Sequence, residues 1–258
     1  MLWINRLAIL EIVLPKAMEA RFSNDYIESL QDGLHLGLCG SGGPMPSSTR
    51  SGPCVVAIAG NKSFIFDAGT NGARNFGLMG LNYSSIEAVF ITHFHSDHID
   101  GLGELSLFRW IGGQKREPLN VYGPEGIDQV VNGFNVAYEL DSRYRNLHHG
   151  DDVADLNGYG MIPITFDMDE KIASTIVFND DGVKVEAFSV NHAPASPAVG
   201  YKISYKGRST VISGDTSKNK NLERNSKDVD LLIHSGLSLK LLKMMSTAAL
   251  QTGNNAQA

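Results

Sequence analysis

The sequence predicts a mixed, layered α/β domain without the regular strand–helix alternation of a Rossmann fold, and three observations carry that reading. Short apolar runs rich in β-branched residues gather towards both ends of the chain, and helical periodicity occupies the stretch between them. Glycine is abundant, 27 among 258 residues, and supplies the tight turns that join short elements. Hydrophobic residues at 42% and charged residues at 19% allow a large buried core and exclude wholesale disorder. At this length a single domain is expected.

Residues 1–30 read as an extension ahead of a domain spanning 31–258. The apolar run Leu7–Leu14 is interrupted by Glu11 and is too short to span a bilayer. Arg6 before it and Ala17 to Ala20 after it give some likeness to a secretory signal, so export stays open. The interrupting glutamate and the missing small-x-small cleavage site favour a cytoplasmic protein with an extra helix.

Leu34–Cys39, Cys54–Ala59 and Ser63–Phe66 read as strands, the last two joined by a Gly60-Asn61 turn. Glu87–Thr92 is a fourth, ending at a cluster of histidines. Leu102–Ile111 has helical spacing, Leu119–Tyr122 reads as a strand, and Glu125–Tyr138 follows Gly123-Pro124 as a helix. Trp110 and Tyr138, on these helices, are expected in the core. From Asp141 to about Glu170 the chain is polar and irregular, as in a loop or lid over a site. Strands resume at Val183–Val190, Val199–Tyr205 and Ser209–Ser213, the latter two joined at Lys206-Gly207. Val229–His234 is the last strand and Leu237–Leu250 the last helix.

Charge narrows the partners. Lys and Arg total 22 against 28 Asp and Glu, a net −6 that disfavours wrapping nucleic acid, though a local basic groove stays compatible with it. Cys39 and Cys54 make no metal pattern, and a single bridge between them is open.

The chemistry concentrates in Ile91-Thr-His-Phe-His-Ser-Asp-His-Ile-Asp-Gly101, where His93, His95, Asp97 and His98 fall within six residues. Neutral imidazoles and a carboxylate are ligands that zinc prefers. Strand alternation aims His93 and His95 the same way, and the following turn redirects Asp97 and His98, so one cluster can serve two neighbouring metals.

His93-x-His95-x-Asp97-His98 resembles the signature of the metallo-β-lactamase superfamily, whose fold is an αββα sandwich with one or two metals between its sheets. Phe64-Ile-Phe-Asp67-Ala-Gly69, Ser189-Val-Asn-His192-Ala-Pro and Ser213-Gly-Asp215-Thr216 resemble its later motifs, in the family's order. The resemblance implies two Zn2+ ions, with His93, His95 and His192 on the first, Asp97 and His98 on the second, and Asp215 bridging. It implies Asp67 as an orienting group behind the ligands, and a metal-bridging hydroxide as the attacking species.

Gly40-Ser-Gly-Gly-Pro44 with Arg50, and Gly200-Tyr-Lys-Ile-x-Tyr205 followed by Gly207-Arg208, are similar to the ribonuclease Z and arylsulfatase-like branch. The glycine cluster also reads as a tight turn between strands, which is the favoured reading. His234 occupies the place of that branch's His-Glu-Ala motif, implicated in protonating the leaving group, but Ser235 stands where the glutamate belongs. Catalysis and a buried structural role are both open for it. His148 and His149, in the polar segment, are either solvated or substrate-facing, with Arg143 and Arg145 placed to help hold an anion.

The expected function is therefore zinc-dependent hydrolysis of a phosphodiester or sulfate ester. The preferred substrate is a small anionic ester, because Asp151-Asp-Val-Ala-Asp155 makes a poor grip for tRNA. A tRNA 3′-processing endoribonuclease, a lactone or β-lactam hydrolase, and a non-catalytic truncated relic are the alternatives. The last arises because the family's final histidine ligand has no counterpart after His234, which also suggests a missing closing helix-and-strand layer and an uncovered apolar face at Val229–Ile233. A homodimer is compatible with the sequence and not fixed by it.

Overall fold

The computed structural model describes Glu11 and residues 13–15, 26–168 and 173–253. Most of the Leu7–Leu14 run and the alanines after it lie outside the described residues.

Strand β2 (Cys54–Ala59) is buried at every position, which requires a sheet covered on both faces. β1 (Leu34–Gly40) and β3 (Lys62–Phe66) flank it antiparallel. β4 (Ile86–Phe90), β5 (Leu119–Gly123) and β6 (Met161–Thr165) continue the sheet in parallel, giving the order β1-β2-β3-β4-β5-β6. A second sheet has the order β11 (Leu231–Ile233), β10 (Arg208–Ile212), β9 (Val199–Tyr205), β8 (Val183–Ser189), β7 (Thr175–Asp180). It is antiparallel except for the β10–β11 pair.

The period of two along the strands sorts the core into layers. Phe64, Phe66 and Phe90 point between the sheets, where they meet Val185, Tyr201 and Ile203. Ile65, Val89 and Ile91 point the other way, onto Phe76 of helix α1 (Gly72–Leu78), Leu105 of α3 (Leu102–Ile111) and Val131 of α4 (Ile127–His149). Leu222 of α6 (Lys220–Asn225) covers Phe188 and Val211 on the outer face of the second sheet. The layers therefore run helix, sheet, sheet, helix. Phe90 stacks on Phe66 at 5.1 Å and on Tyr122 at 4.9 Å; burying each such ring contributes about 1.5–3 kcal/mol.

Several expectations need correction between Glu125 and Asp180. The helix does not stop near Tyr138 but runs to His149 as α4, ending where Gly150 takes a φ of 73°. Its second half looks irregular in sequence because charged and polar residues interrupt the helical spacing, yet Asp141 pairs with Arg145 at 2.7 Å and Glu139 with Arg143, both spaced i,i+4. The short α5 (Asp151–Ala154) and β6 follow, where a loop was expected. β6 contains Pro163, which a ladder tolerates only at a sheet edge, and β6 is an edge strand. β7 is the opposite sheet's edge and half-exposed, so it too lacks a clean apolar signal. Trp110 is buried as expected.

At the far edge of the second sheet, β11 is shorter than expected and leaves Leu231 and Leu232 exposed. The last helix, α7 (Leu239–Gln251), buries Ala249 alone. Among the described residues no helix is long and apolar enough to cross a membrane. Cys39 and Cys54 form a disulfide that ties β1 to β2 and closes the glycine-rich loop between them.

Candidate metal centre

Three chain segments converge at one end of the sandwich. β3 and β4 are parallel, so their carboxyl ends emerge together, and the Val199 amide donates to the Thr92 carbonyl at 2.9 Å to join the second sheet there. A short helix, α2 (Ser96–Ile99), begins directly after His95.

Asp67 organises this end. It follows β3 with a φ of 59°, a left-handed conformation that a short Asp side chain tolerates better than most. Its carboxylate is buried and accepts three hydrogen bonds, from the Thr92 amide (2.8 Å), the Thr92 hydroxyl (2.9 Å) and His98 Nδ1 (2.8 Å). The turn beyond it is packed against the histidine loop with no room for a side chain. A Cβ on Gly69 would stand 2.3 Å from the Asp97 carbonyl oxygen, and one on Gly101 2.5 Å from that of Gly69.

Those hydrogen bonds fix two imidazole tautomers. His98 must carry a proton on Nδ1 to reach a carboxylate, so Nε2 faces the space between the sheets. There it is buried without a hydrogen-bond partner, 3.6 Å from Asp215 Oδ2 and 3.8 Å from Asp97 Oδ2. The Thr92 hydroxyl spends its proton on Asp67, so at 3.0 Å it accepts one from His93 Nδ1, and His93 Nε2 is left with a lone pair.

His93 Nε2 lies 3.0 Å from His95 Nδ1, and His192 Nε2 lies 3.1 Å from that same atom. His95 Nδ1 carries one proton at most and can satisfy one neighbour, so imidazole lone pairs converge here without enough hydrogens. Two groups of ligand atoms, each within 4.8 Å of one another, result: His93 with His95 and His192, and His93 with His98 and Asp215. His93 is buried, His192 half-buried and His95 exposed, so the first group opens to solvent. Burial, reinforced by the neighbouring His98 and His192, pushes the His93 imidazole down to about 3. For His98 burial opposes the charged form, but Asp67 and Asp215 outweigh it and raise the imidazole to about 10. Asp215 is held below the usual carboxylate range chiefly by His98.

The other sequence candidates lie apart from these groups. His234, at the end of β11, is exposed rather than buried, and its Nδ1 donates to the Ser235 carbonyl at 2.5 Å. Ser213 connects that strand end to the site: its amide donates to the Ile233 carbonyl and its hydroxyl accepts from the Ser235 amide, two residues before Asp215. His148 and His149 lie on the last turn of α4 and not in a loop, exposed and with ring centroids 4.5 Å apart. The glycine cluster forms a tight turn, with the Gly42 amide on the Ser51 carbonyl at 2.6 Å. Two contributors were not singled out from sequence: Thr92, which links Asp67 to His93, and Tyr201, whose buried hydroxyl donates to the Ile91 carbonyl at 2.7 Å. Thr92 adjoins the histidine motif in the sequence, whereas Tyr201, read only as part of the Gly200–Tyr205 motif, is brought to Ile91 by the fold.

Residues 48–249 match the family described as Metallo-beta-lactamase superfamily. The chain is 31% identical over 204 residues to ribonuclease Z of Mycobacterium marinum (strain ATCC BAA-535 / M), covering 78% of this chain and 70% of the relative. Ribonuclease Z of Mycolicibacterium gilvum (strain PYR-GCK) is 29% identical, over 82% of this chain and 72% of its own length. Among solved structures, the short form of human tRNase Z superposes with a TM-score of 0.61 at 24% identity, covering 82% of each chain, a likeness of fold.

Proposed function

The chain belongs to the metallo-beta-lactamase superfamily and is a metal-dependent hydrolase, and we propose that the bond it cleaves is a phosphodiester. The observation that carries the reading is the buried, unpartnered His98 Nε2 between two carboxylates, beside three imidazoles with too few hydrogens. That donor set suits zinc, which takes imidazole and carboxylate in tetrahedral sites.

His93, His95 and His192 would hold one zinc, and His98 and Asp97 a second, with Asp215 placed to touch both. When bound, paired zinc ions acidify a water and offset charge on the phosphoryl oxygens. Around them, Asp67 holds His98 through Nδ1 and, by way of the Thr92 hydroxyl, holds His93 in the tautomer whose Nε2 lone pair is free. His234, which lies apart from the ligand groups, would serve the leaving oxygen on the strength of its place in the branch's motif. Its Nδ1 proton is committed to Ser235, which leaves Nε2 to carry and release a proton. His148 and His149 are placed to meet a substrate group only if it reaches the end of α4.

A small anionic phosphodiester fits better than tRNA. The net charge is −6, and Asp151 and Asp155, which occupy the segment after α4, bond to Asn146 and Arg116. The relatives named ribonuclease Z favour the second reading, tRNA 3′ processing. Turnover of bis(p-nitrophenyl) phosphate, p-nitrophenyl sulfate and a precursor tRNA by zinc-loaded protein separates them. Chelator-sensitive phosphodiester cleavage, lost in His95→Ala, is the expected result. Efficient removal of a tRNA 3′ trailer at physiological salt would establish the second reading, and sulfate-ester cleavage alone would overturn both.

A further inference from the structure

We infer that Thr216 is a positioning residue for the metal centre: with Ser217 it clasps the loop that bears His192 to the turn that bears Asp215. The inference rests on the ligand assignment given above, in which the two residues serve different groups. His192 belongs with His93 and His95, and Asp215 with His93 and His98. Strand order makes a clasp necessary. His192 follows β8 and Asp215 follows β10, and β9 lies between those strands in the sheet. Adjacent strands are about 4.8 Å apart, so the ends of β8 and β10 stand about 10 Å apart, beyond the reach of ladder hydrogen bonds. The Asp215 turn is anchored independently. The Ser213 amide donates to the Ile233 carbonyl and its hydroxyl accepts from the Ser235 amide. Gly214 takes a φ of 58°, and a Cβ there would stand 2.8 Å from Thr92 Cβ and 3.0 Å from the Val199 carbonyl oxygen. This turn is therefore pressed against the strand end that leads to His93. The loop 190–198 is closed mainly on itself, with the Val190 amide on the Ala198 carbonyl and the Ala195 amide on the His192 carbonyl.

Asn191 supplies the link between them with its main chain. Its amide donates to Thr216 Oγ1 at 3.2 Å, and its carbonyl accepts from the Ser217 amide at 2.9 Å and the Ser217 hydroxyl at 3.2 Å. The Thr216 hydroxyl spends its own proton on the Ser217 carbonyl at 2.7 Å, which leaves its oxygen free to accept from Asn191. Both main-chain groups of the residue before His192 are thereby satisfied by the two residues after Asp215. Asn191 and Ser217 are exposed, where water competes for such bonds and their share in global stability is small. What the clasp supplies is register. The anchored Asp215 turn dictates, through Thr216 and Ser217, where the His192 imidazole stands beside His95.

Thr216→Val in the full-length chain tests the clasp, since it keeps the branched shape and removes the acceptor of the Asn191 amide. Chelator competition should find zinc on the three-histidine side weakened about tenfold, as for other groups that orient ligands, with the Asp215 side changed less. The visible spectrum of the cobalt-loaded protein should change with it, because the third imidazole is no longer held in place. Thr216→Ser restores the hydroxyl and should recover both the affinity and the spectrum. Asn191→Ala keeps both main-chain bonds and loses only the side-chain bond to the Ala193 amide at 3.3 Å, so it should weaken zinc less than Thr216→Val. The melting temperature should fall by no more than a few degrees in all three variants. His95→Ala is the reference for the ligand assignment. If it keeps the parent's zinc, that assignment falls and the clasp with it. If it loses zinc while Thr216→Val binds as the parent does, the ligands stand and the clasp alone is overturned. Failure of Thr216→Ser to rescue, greater damage from Asn191→Ala, or zinc loss that only tracks a collapse of the fold would each overturn the clasp as well.

Discussion

Asp67 accepts the Nδ1 proton of His98 at 2.8 Å although the two residues are 31 positions apart, and the same carboxylate oxygen takes the Thr92 hydroxyl. One buried carboxylate thereby sets the orientation of an imidazole on each side of the candidate metal centre: His98 directly, and His93 through a hydroxyl relay. The relation explains why an aspartate sits in a left-handed conformation at the end of a fully buried strand segment. Its position gives three donors a common acceptor.

Replacing Asp67 with Asn tests the shared acceptor. With the Asn oxygen on the Thr92 amide, its NH2 takes the place of the oxygen that His98 Nδ1 and the Thr92 hydroxyl share, and it can accept from neither. The tautomers of His98 and His93 are then both unfixed, and zinc affinity should fall about 10–100-fold on both sides of the centre. Chelator competition measures the two sides, and unchanged affinity at both would show that Asp67 does not orient the ligands.

Thr92→Val tests the relay. The side chain keeps its shape but loses the hydroxyl between Asp67 and His93, so His93 Nδ1 loses its acceptor. Weakening should now be concentrated at the three-histidine side, with the melting temperature lowered by no more than a few degrees. Unchanged zinc affinity would show that the relay is dispensable.

Much of this was legible in the sequence and some was not, for identifiable reasons. The ligand cluster stood out because His93, His95, Asp97 and His98 are contiguous, and His192 and Asp215 follow apolar strands that end at the same edge. Thr92 did not, since a threonine at a strand end has no chemical signature until Asp67 is brought to it in space. The second half of α4 reads as loop because charged residues interrupt its apolar spacing, and ion pairs join those charges along the helix. β6 and β7 are edges, where proline and polar residues dilute the apolar alternation that marks inner strands.

The Cys39–Cys54 bridge should hold the loop that backs the site. Asn75 Nδ2 donates to the Cys39 carbonyl and to the Ser51 hydroxyl, and the Gly52 amide donates to the Thr70 carbonyl, so this loop is sewn to the turn after Asp67. With the cysteines 15 positions apart in sequence, loss of the bridge should cost about 3 kcal/mol. Urea unfolding of the Cys39→Ala/Cys54→Ala variant against the oxidised parent measures it. Thiol titration of the denatured, unreduced parent should find no free thiol, and two free thiols would remove the premise.

Gly69→Ala tests how closely that turn positions the ligands. The added carbon would meet the Asp97 carbonyl oxygen at 2.3 Å, the Gly52 carbonyl carbon at 2.5 Å and the Pro53 nitrogen at 2.7 Å. All three are backbone atoms, so no side-chain rotation relieves the contact, and either the 51–53 loop or the α2 segment has to move. The segment bearing Asp97 and His98 is held by the Ala68 amide on the His98 carbonyl at 2.8 Å, next to the altered residue. Overpacking of this kind costs about 1–3 kcal/mol. Beyond that loss, zinc held by His98 and Asp215 should weaken more than zinc held by His93, His95 and His192, because His98 moves with the turn. Gly43→Ala is the matched control: nothing lies within 4 Å of its new carbon, so stability should change by less than about 0.5 kcal/mol. Equal melting temperatures and equal zinc affinities for the two variants would show that the turn does not position the ligands.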